Sequence, residues 1–144
     1  MCPLFSFYTT YISSLIHPVV TVSFSPLNYT VCEGIPATLE MVLDKEASKS
    51  ITVFVTTMDI TAGSTDYIQE TSFPVVFAPG TTRALLFLLP LRDTEINEPD
   101  ESLTVTLDLG PTPVRVEVGT DICFVTITDA TGKSAKTWLI RSEL

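Results

Sequence analysis

Ten residues, Arg92 to Glu101 (RDTEINEPDE), hold five carboxylates and one base, and they directly follow the almost wholly apolar run Ala84 to Leu91. Like charges this dense repel one another, at a cost in stability unless something offsets them. Asp93, Glu95, Glu98, Asp100 and Glu101 form this group, and Glu33, Asp66 and Asp129 also fall where alternating segments stop or begin. Calcium takes about six to eight oxygen ligands from carboxylates, carbonyls and water in a flexible cage, which acids from several loops can supply. A bound divalent ion then turns the repulsion into attraction. The competing reading is a solvated acidic rim that keeps a β-domain soluble and blunts edge pairing.

Other chemistry finds less support. The chain of 144 residues has 8 Lys and Arg against 17 Asp and Glu, a net charge of -9, so nucleic acid is not an expected partner and a cation is. The single histidine, His17, lies before the first alternating segment, which leaves a Ser-His or Cys-His pair without its base; no enzyme activity is expected. A carboxylate pair such as Glu98 and Glu101 lacks any evident cleft, and no Gly-rich phosphate loop occurs. Cys2, Cys32 and Cys123 lack the close spacing of a zinc site. A Cys32–Cys123 bridge requires neighbouring strands; two buried free thiols is the blander reading. Asn28-Tyr29-Thr30 is an N-glycosylation acceptor pattern, meaningful in a secretory setting.

The elements that must position these acids read as strands. Val20, Val22 and Phe24 alternate with polar residues, as do Tyr29 and Val31, then Leu39, Met41 and Leu43, then Ile51, Val53 and Val55. A loop rich in Gly, Ser and Asp follows from Thr57 to Tyr67. Val75 and Phe77 lead into Pro79-Gly80, a tight reversal. Next, Leu85, Phe87, Leu89 and Leu91 share one face, which points Leu86 and Leu88 outward, to be covered by a tail or a neighbouring module, or left bare. Leu103, Val105 and Leu107 alternate, then Val114, Val116 and Val118, then Cys123, Val125 and Ile127.

No helical period appears between residues 19 and 131. About seven strands with turn signals roughly every ten residues predict an all-β, immunoglobulin-like Greek-key β-sandwich. Residues 19–131 form the sandwich, 1–18 an apolar segment outside it, and 132–144 a tail containing the only tryptophan, Trp138. The apolar stretch 1–18 lacks a basic leader region, and no apolar run is long enough to span a membrane.

The order YTVCEG, TAGSTDY, VVFAPGTT, LLPLRDTEINEPDESLTVTL, FVTITDA resembles the Calx-beta domain, a sandwich module of sodium/calcium exchangers, integrin beta-4 and tandem-repeat adhesion proteins. The resemblance spans residues 19–131. It implies calcium held at one end of the sandwich by Glu33, Asp66, Glu98, Glu101 and Asp129, with Asp93 as helper. Thr94, Ala130 and Thr131 stand where the family pattern has acids, and the TAGSTDY loop is one residue short, so the resemblance implies one weak calcium site at most. The implied role is an interaction module of a membrane-associated or extracellular adhesion or cell-communication protein, with neighbouring modules or other proteins as partners. The alternatives are an intracellular calcium-sensing domain of a transporter and a structural module without metal.

Overall fold

The computed structural model describes residues 19–92, 94, 98–112 and 114–129. Nine strands follow in chain order: β1 (Val20–Phe24), β2 (Asn28–Cys32), β3 (Ala37–Leu43), β4 (Ile51–Asp59), β5 (Phe73–Phe77), β6 (Arg83–Leu88), β7 (Glu101–Leu109), β8 (Val116–Val118) and β9 (Ile122–Thr128). No helix occurs among the described residues, and so none there is long and apolar enough to cross a membrane. The strands form two sheets, ordered β6-β3-β1-β8 and β2-β9-β7-β4-β5. Pairing is antiparallel except for β1 with β8 and β2 with β9.

The all-β sandwich expectation therefore holds, with nine strands where the spacing predicts about seven. Ser25-Pro26-Leu27 separates the first two alternating runs: Pro26 has no N–H to continue a ladder, and β1 and β2 fall in different sheets. The run from Val114 to Val118 gives only the three-residue β8. It starts at Val116, while Val114 packs beside the core outside any strand.

Period-two burial builds one core. Val22, Leu39, Met41, Ile51, Val53, Val55, Leu103, Val105 and Val125 are wholly inaccessible to solvent, and their inward side chains from the two sheets interdigitate. Each such side chain contributes about 1.5–3 kcal/mol relative to exposure. Two details differ from the sequence reading. β4 continues four residues beyond Val55, because Thr56 to Asp59 find partners in Thr106 to Leu103 of β7. On β6 the faces are reversed: Ala84, Leu86 and Leu88 are buried, whereas Leu85, Phe87 and Leu89 are exposed. A run apolar on both faces has no built-in sign. Pairing with β3 decides it, since inward Leu39 and Met41 lie opposite Leu86 and Ala84.

Cys123 is buried, but Cys32 is exposed, which corrects the expectation of two buried thiols; both are free. β2 and β9 are neighbours, yet Cys32 lies opposite Thr128 while Cys123 precedes the Asn28–Phe124 pair. About five residues of strand, roughly 16 Å, separate them. A disulfide needs Cα atoms within about 7 Å.

Candidate functional site

Four adjacent strands deliver acids to one end of the molecule. β2 and β9 run parallel and stop together, Cys32 opposite Thr128, so Glu33 and Asp129 leave the sheet side by side. The Glu33 N–H still donates to the Thr128 carbonyl at 3.2 Å. β7 runs the other way and begins here, with Glu101 opposite Ile127. Glu98 and Asp100 immediately precede it. β4 ends at the same pole, Asp59 opposite Leu103.

The turn that releases Glu33 depends on glycine. Gly34 has φ of 66°, in the left-handed region. A Cβ there would also sit 2.9 Å from the Cβ of Arg92, so the Arg92 stem packs over this turn and ties the acidic connection to the end of β2.

Asp66 arrives from the loop after β4. The N–H groups of Ile60, Thr61 and Ala62 all donate to the Ser102 carbonyl, at 3.2, 3.0 and 3.0 Å, and the Ser102 N–H donates to the Thr61 hydroxyl at 2.8 Å. That clamp holds the loop against the start of β7, next to Glu101. Across the sandwich, the Leu91 N–H donates to the Asp66 carbonyl at 2.7 Å and the Ile68 N–H to the Leu89 carbonyl at 3.0 Å, on either side of a Tyr67–Pro90 bridge. The Asp66 carboxylate itself turns back on its loop: Oδ2 accepts from the Gly63 N–H at 2.5 Å and Oδ1 from the Thr65 hydroxyl at 3.0 Å.

Asp59 and Gln69 are absent from the sequence-based set, yet they fix this loop. Tyr67 is 1% exposed, and its hydroxyl donates to Asp59 Oδ1 at 2.6 Å; the Gln69 amide donates to both Asp59 oxygens at 2.9 and 2.8 Å. These donors hold the Asp59 carboxyl below its ordinary value, the Tyr67 hydroxyl contributing most and Gln69 next. Burial, and secondarily the Asp59 carboxylate, pushes the Tyr67 phenol up. The sequence reading places Thr57 to Tyr67 wholly in a loop. The signal that would recover Asp59 is the continued alternation of Val55 and Thr57, which extends the strand to it.

The backbone thus brings Glu33, Asp66, Glu98, Glu101 and Asp129 to a common pole. Asp93 lies outside the described residues, as do Glu95, Ala130 and Thr131. Asp129, at 8% exposure, is the one buried carboxylate among the described residues. Their side chains are not already closed into a cluster of three or more metal-ligating groups, again among the described residues.

A two-sheet immunoglobulin-like module with an acidic pole at its strand ends is the class these observations define. The family model for the Calx-beta domain matches residues 17–131. The chain belongs to the Calx-beta family. Among solved structures it is similar to the apo form of the Calx CBD1 domain, at 25% identity over 76% of this chain and 96% of that one, with a TM-score of 0.66. It is similar also to the calcium binding domain CBD12 of CALX1.1, at 26% identity over 75% of this chain and 45% of that one, with a TM-score of 0.64. The Calx CBD2 domain, at 17% identity over 83% of this chain and 93% of that one, shares the fold with a TM-score of 0.70. A search of curated proteins finds no matching relative.

Proposed function

We propose that this module binds one calcium ion, weakly, at the pole where β2, β7 and β9 meet, and that the ion stiffens this end as an interaction surface for neighbouring modules. The observation that carries the reading is the placement of buried Asp129 beside Glu33, one strand from Glu101. Shielding from solvent weakens the screening of such a carboxylate and so strengthens its attraction for a cation. The likeness to a domain described as calcium binding supports the same reading. Glu33, Asp129, Glu101 and Glu98 are the first donors, and Asp66 and Asp93 complete the set, with carbonyls and water filling the remainder of the shell. Closing such a shell draws like-charged side chains together, which lowers the affinity. The module is read as non-catalytic.

An adhesion or cell-communication protein outside the cell, or the ectodomain of a membrane protein, is the first setting. Its support is Asn28, which is exposed on edge strand β2 and open to a glycan. An intracellular calcium-sensing role is the second, supported by the exposed free thiol of Cys32, which suits a reducing compartment. A glycan on Asn28 of the native protein decides for the first, and an unmodified Asn28 for the second.

Calcium binding is tested by thermal unfolding. Calcium at ten times its dissociation constant stabilises the fold by about 1.4 kcal/mol. The melting midpoint of the wild-type chain should therefore rise with calcium, and that of Asp129→Asn should not. Identical midpoints with and without millimolar calcium in the wild type leave only a structural sandwich.

A further inference from the structure

The outer face of the five-stranded sheet is nearly free of charge. Its residues alternate with the core positions of β2, β4, β5, β7 and β9, and among the described residues the only charged side chain on it is Asp108. Phe124, at 52% exposure, and Met58, at 55%, stand out from this face in one row: Asn28 lies opposite Phe124, Phe124 opposite Thr104, and Thr104 opposite Met58. Asn28 opens the row from edge strand β2. Two contacts fix its direction. Tyr29 turns inward, its hydroxyl donating to the Ser25 carbonyl at 3.2 Å and accepting from the Glu40 N–H at 2.8 Å, which turns Asn28 and Thr30 outward together. Paired residues of β2 and β9 meet through their side chains, as the Thr128 hydroxyl does with the Cys32 sulfur at 3.7 Å. Asn28 and Phe124 stand in the same relation at the other end of that ladder.

We infer that an N-glycan on Asn28 covers this face, with Phe124 as the stacking platform for its first N-acetylglucosamine. The inference rests on the secretory setting of the proposed function. Asn28-Tyr29-Thr30 supplies the acceptor pattern. In the transfer, the Asn28 amide nitrogen attacks the anomeric carbon of an oligosaccharide carried on a lipid pyrophosphate. A C–N bond forms, the C–O bond to the phosphate breaks, the nitrogen gives up a proton, and the lipid pyrophosphate leaves. Neighbouring strands lie about 4.8 Å apart, which sets the first sugar over the Phe124 ring. One face of a pyranose presents only C–H groups, whose positive ends suit the negative face of an aromatic ring. Its hydroxyl rim then meets Thr104 and Thr126, the residues beside Phe124 across the ladder and along β9. With no charged side chain in this row, the sugar displaces no strongly held hydration shell.

The test compares the full 144-residue chain secreted from a glycosylating eukaryotic host, behind a cleavable leader, with the same chain made in bacteria without a glycan. Mass spectrometry should find a glycan on Asn28 and none after Thr30→Ala. The glycosylated chain should melt higher than the bacterial one by roughly 3 °C. Phe124→Thr should abolish that increment, while its bacterial form melts close to the wild type because the ring faces solvent. Proton magnetic resonance adds a measurement that needs no variant: the C–H protons of the first sugar should shift upfield in the ring current of Phe124. A secreted chain left bare at Asn28, an increment that survives Phe124→Thr, or sugar protons at their free-glycan positions overturns the inference. A native chain unmodified at Asn28, beside a secreted one that is modified and stacked, overturns the extracellular setting and not the platform.

Discussion

Tyr67 occupies the core with its ring and the acidic pole with its hydroxyl, so a single side chain couples packing to the site. Its bond to Asp59 needs the carboxylate form to be strong, because charge-assisted hydrogen bonds exceed neutral ones. The Asp59 carboxyl is depressed in the folded state, so its contribution is present above the ordinary value of 3.8 and is lost as pH falls below it. Tyr67→Phe should accordingly lower the melting midpoint at neutral pH, and its deficit from the wild type should shrink once Asp59 is protonated. An equal deficit at neutral and acidic pH would show that the hydroxyl acts independently of the Asp59 charge. Cys123 supplies the alkaline counterpart. Burial pushes its thiol up to about 12 from 9.0, so the unfolded chain loses that proton first. The associated stability is complete below 9.0 and declines as pH rises toward 12, with the raised Tyr67 and Tyr29 phenols adding to the decline above 10.0. Cys123→Ala, followed by circular dichroism, should melt lower at neutral pH yet lose stability less steeply between those limits.

At the level of strands, alternation made most of the core legible. Period two alone places residues such as Val20, Val22, Phe24, Leu39, Met41, Leu103 and Val105 inside, and they are inside. β6 shows where that reasoning stops. Leucine occupies both of its faces, so the local pattern is symmetric and only the partner strand, distant in sequence, breaks the symmetry. The consequence is measurable by urea unfolding. Leu86→Ala should cost about 2–5 kcal/mol, because it empties a filled core position. Leu85→Ala should stay within about 0.5 kcal/mol of the wild type, because that side chain faces solvent. The reverse ranking would mean that the register with β3 is wrong. The end of β4 was hidden for a different reason: Thr56 to Asp59 mix exposed and buried positions, and their strand character comes from the ladder with β7 rather than from propensity.

Across the whole molecule, topology converts a scattered set of acids into a polarised one. Glu33, Asp66, Glu101 and Asp129 span nearly a hundred residues of sequence, and the order β2-β9-β7-β4 lines their strands up side by side. Their chemical type and their position at strand ends could be read from the sequence; their common pole followed from a sandwich gathering its loops at two ends. The Ser102 clamp, the Arg92 stem over Gly34 and the Asp59–Tyr67 bond could not, because each joins segments that only the folded chain brings together. The same polarity gives the most direct test of ion binding. Manganese, a paramagnetic stand-in for calcium at oxygen-rich sites, is added in small amounts to the isotopically labelled chain, and amide signals are followed by nuclear magnetic resonance. Signals from Glu33, Asp66, Glu101 and Asp129 should broaden first and recover when calcium is added in excess. Broadening centred instead on Asp44 and Glu117 at the far pole, or broadening that calcium fails to reverse, would contradict a calcium site at the acidic pole.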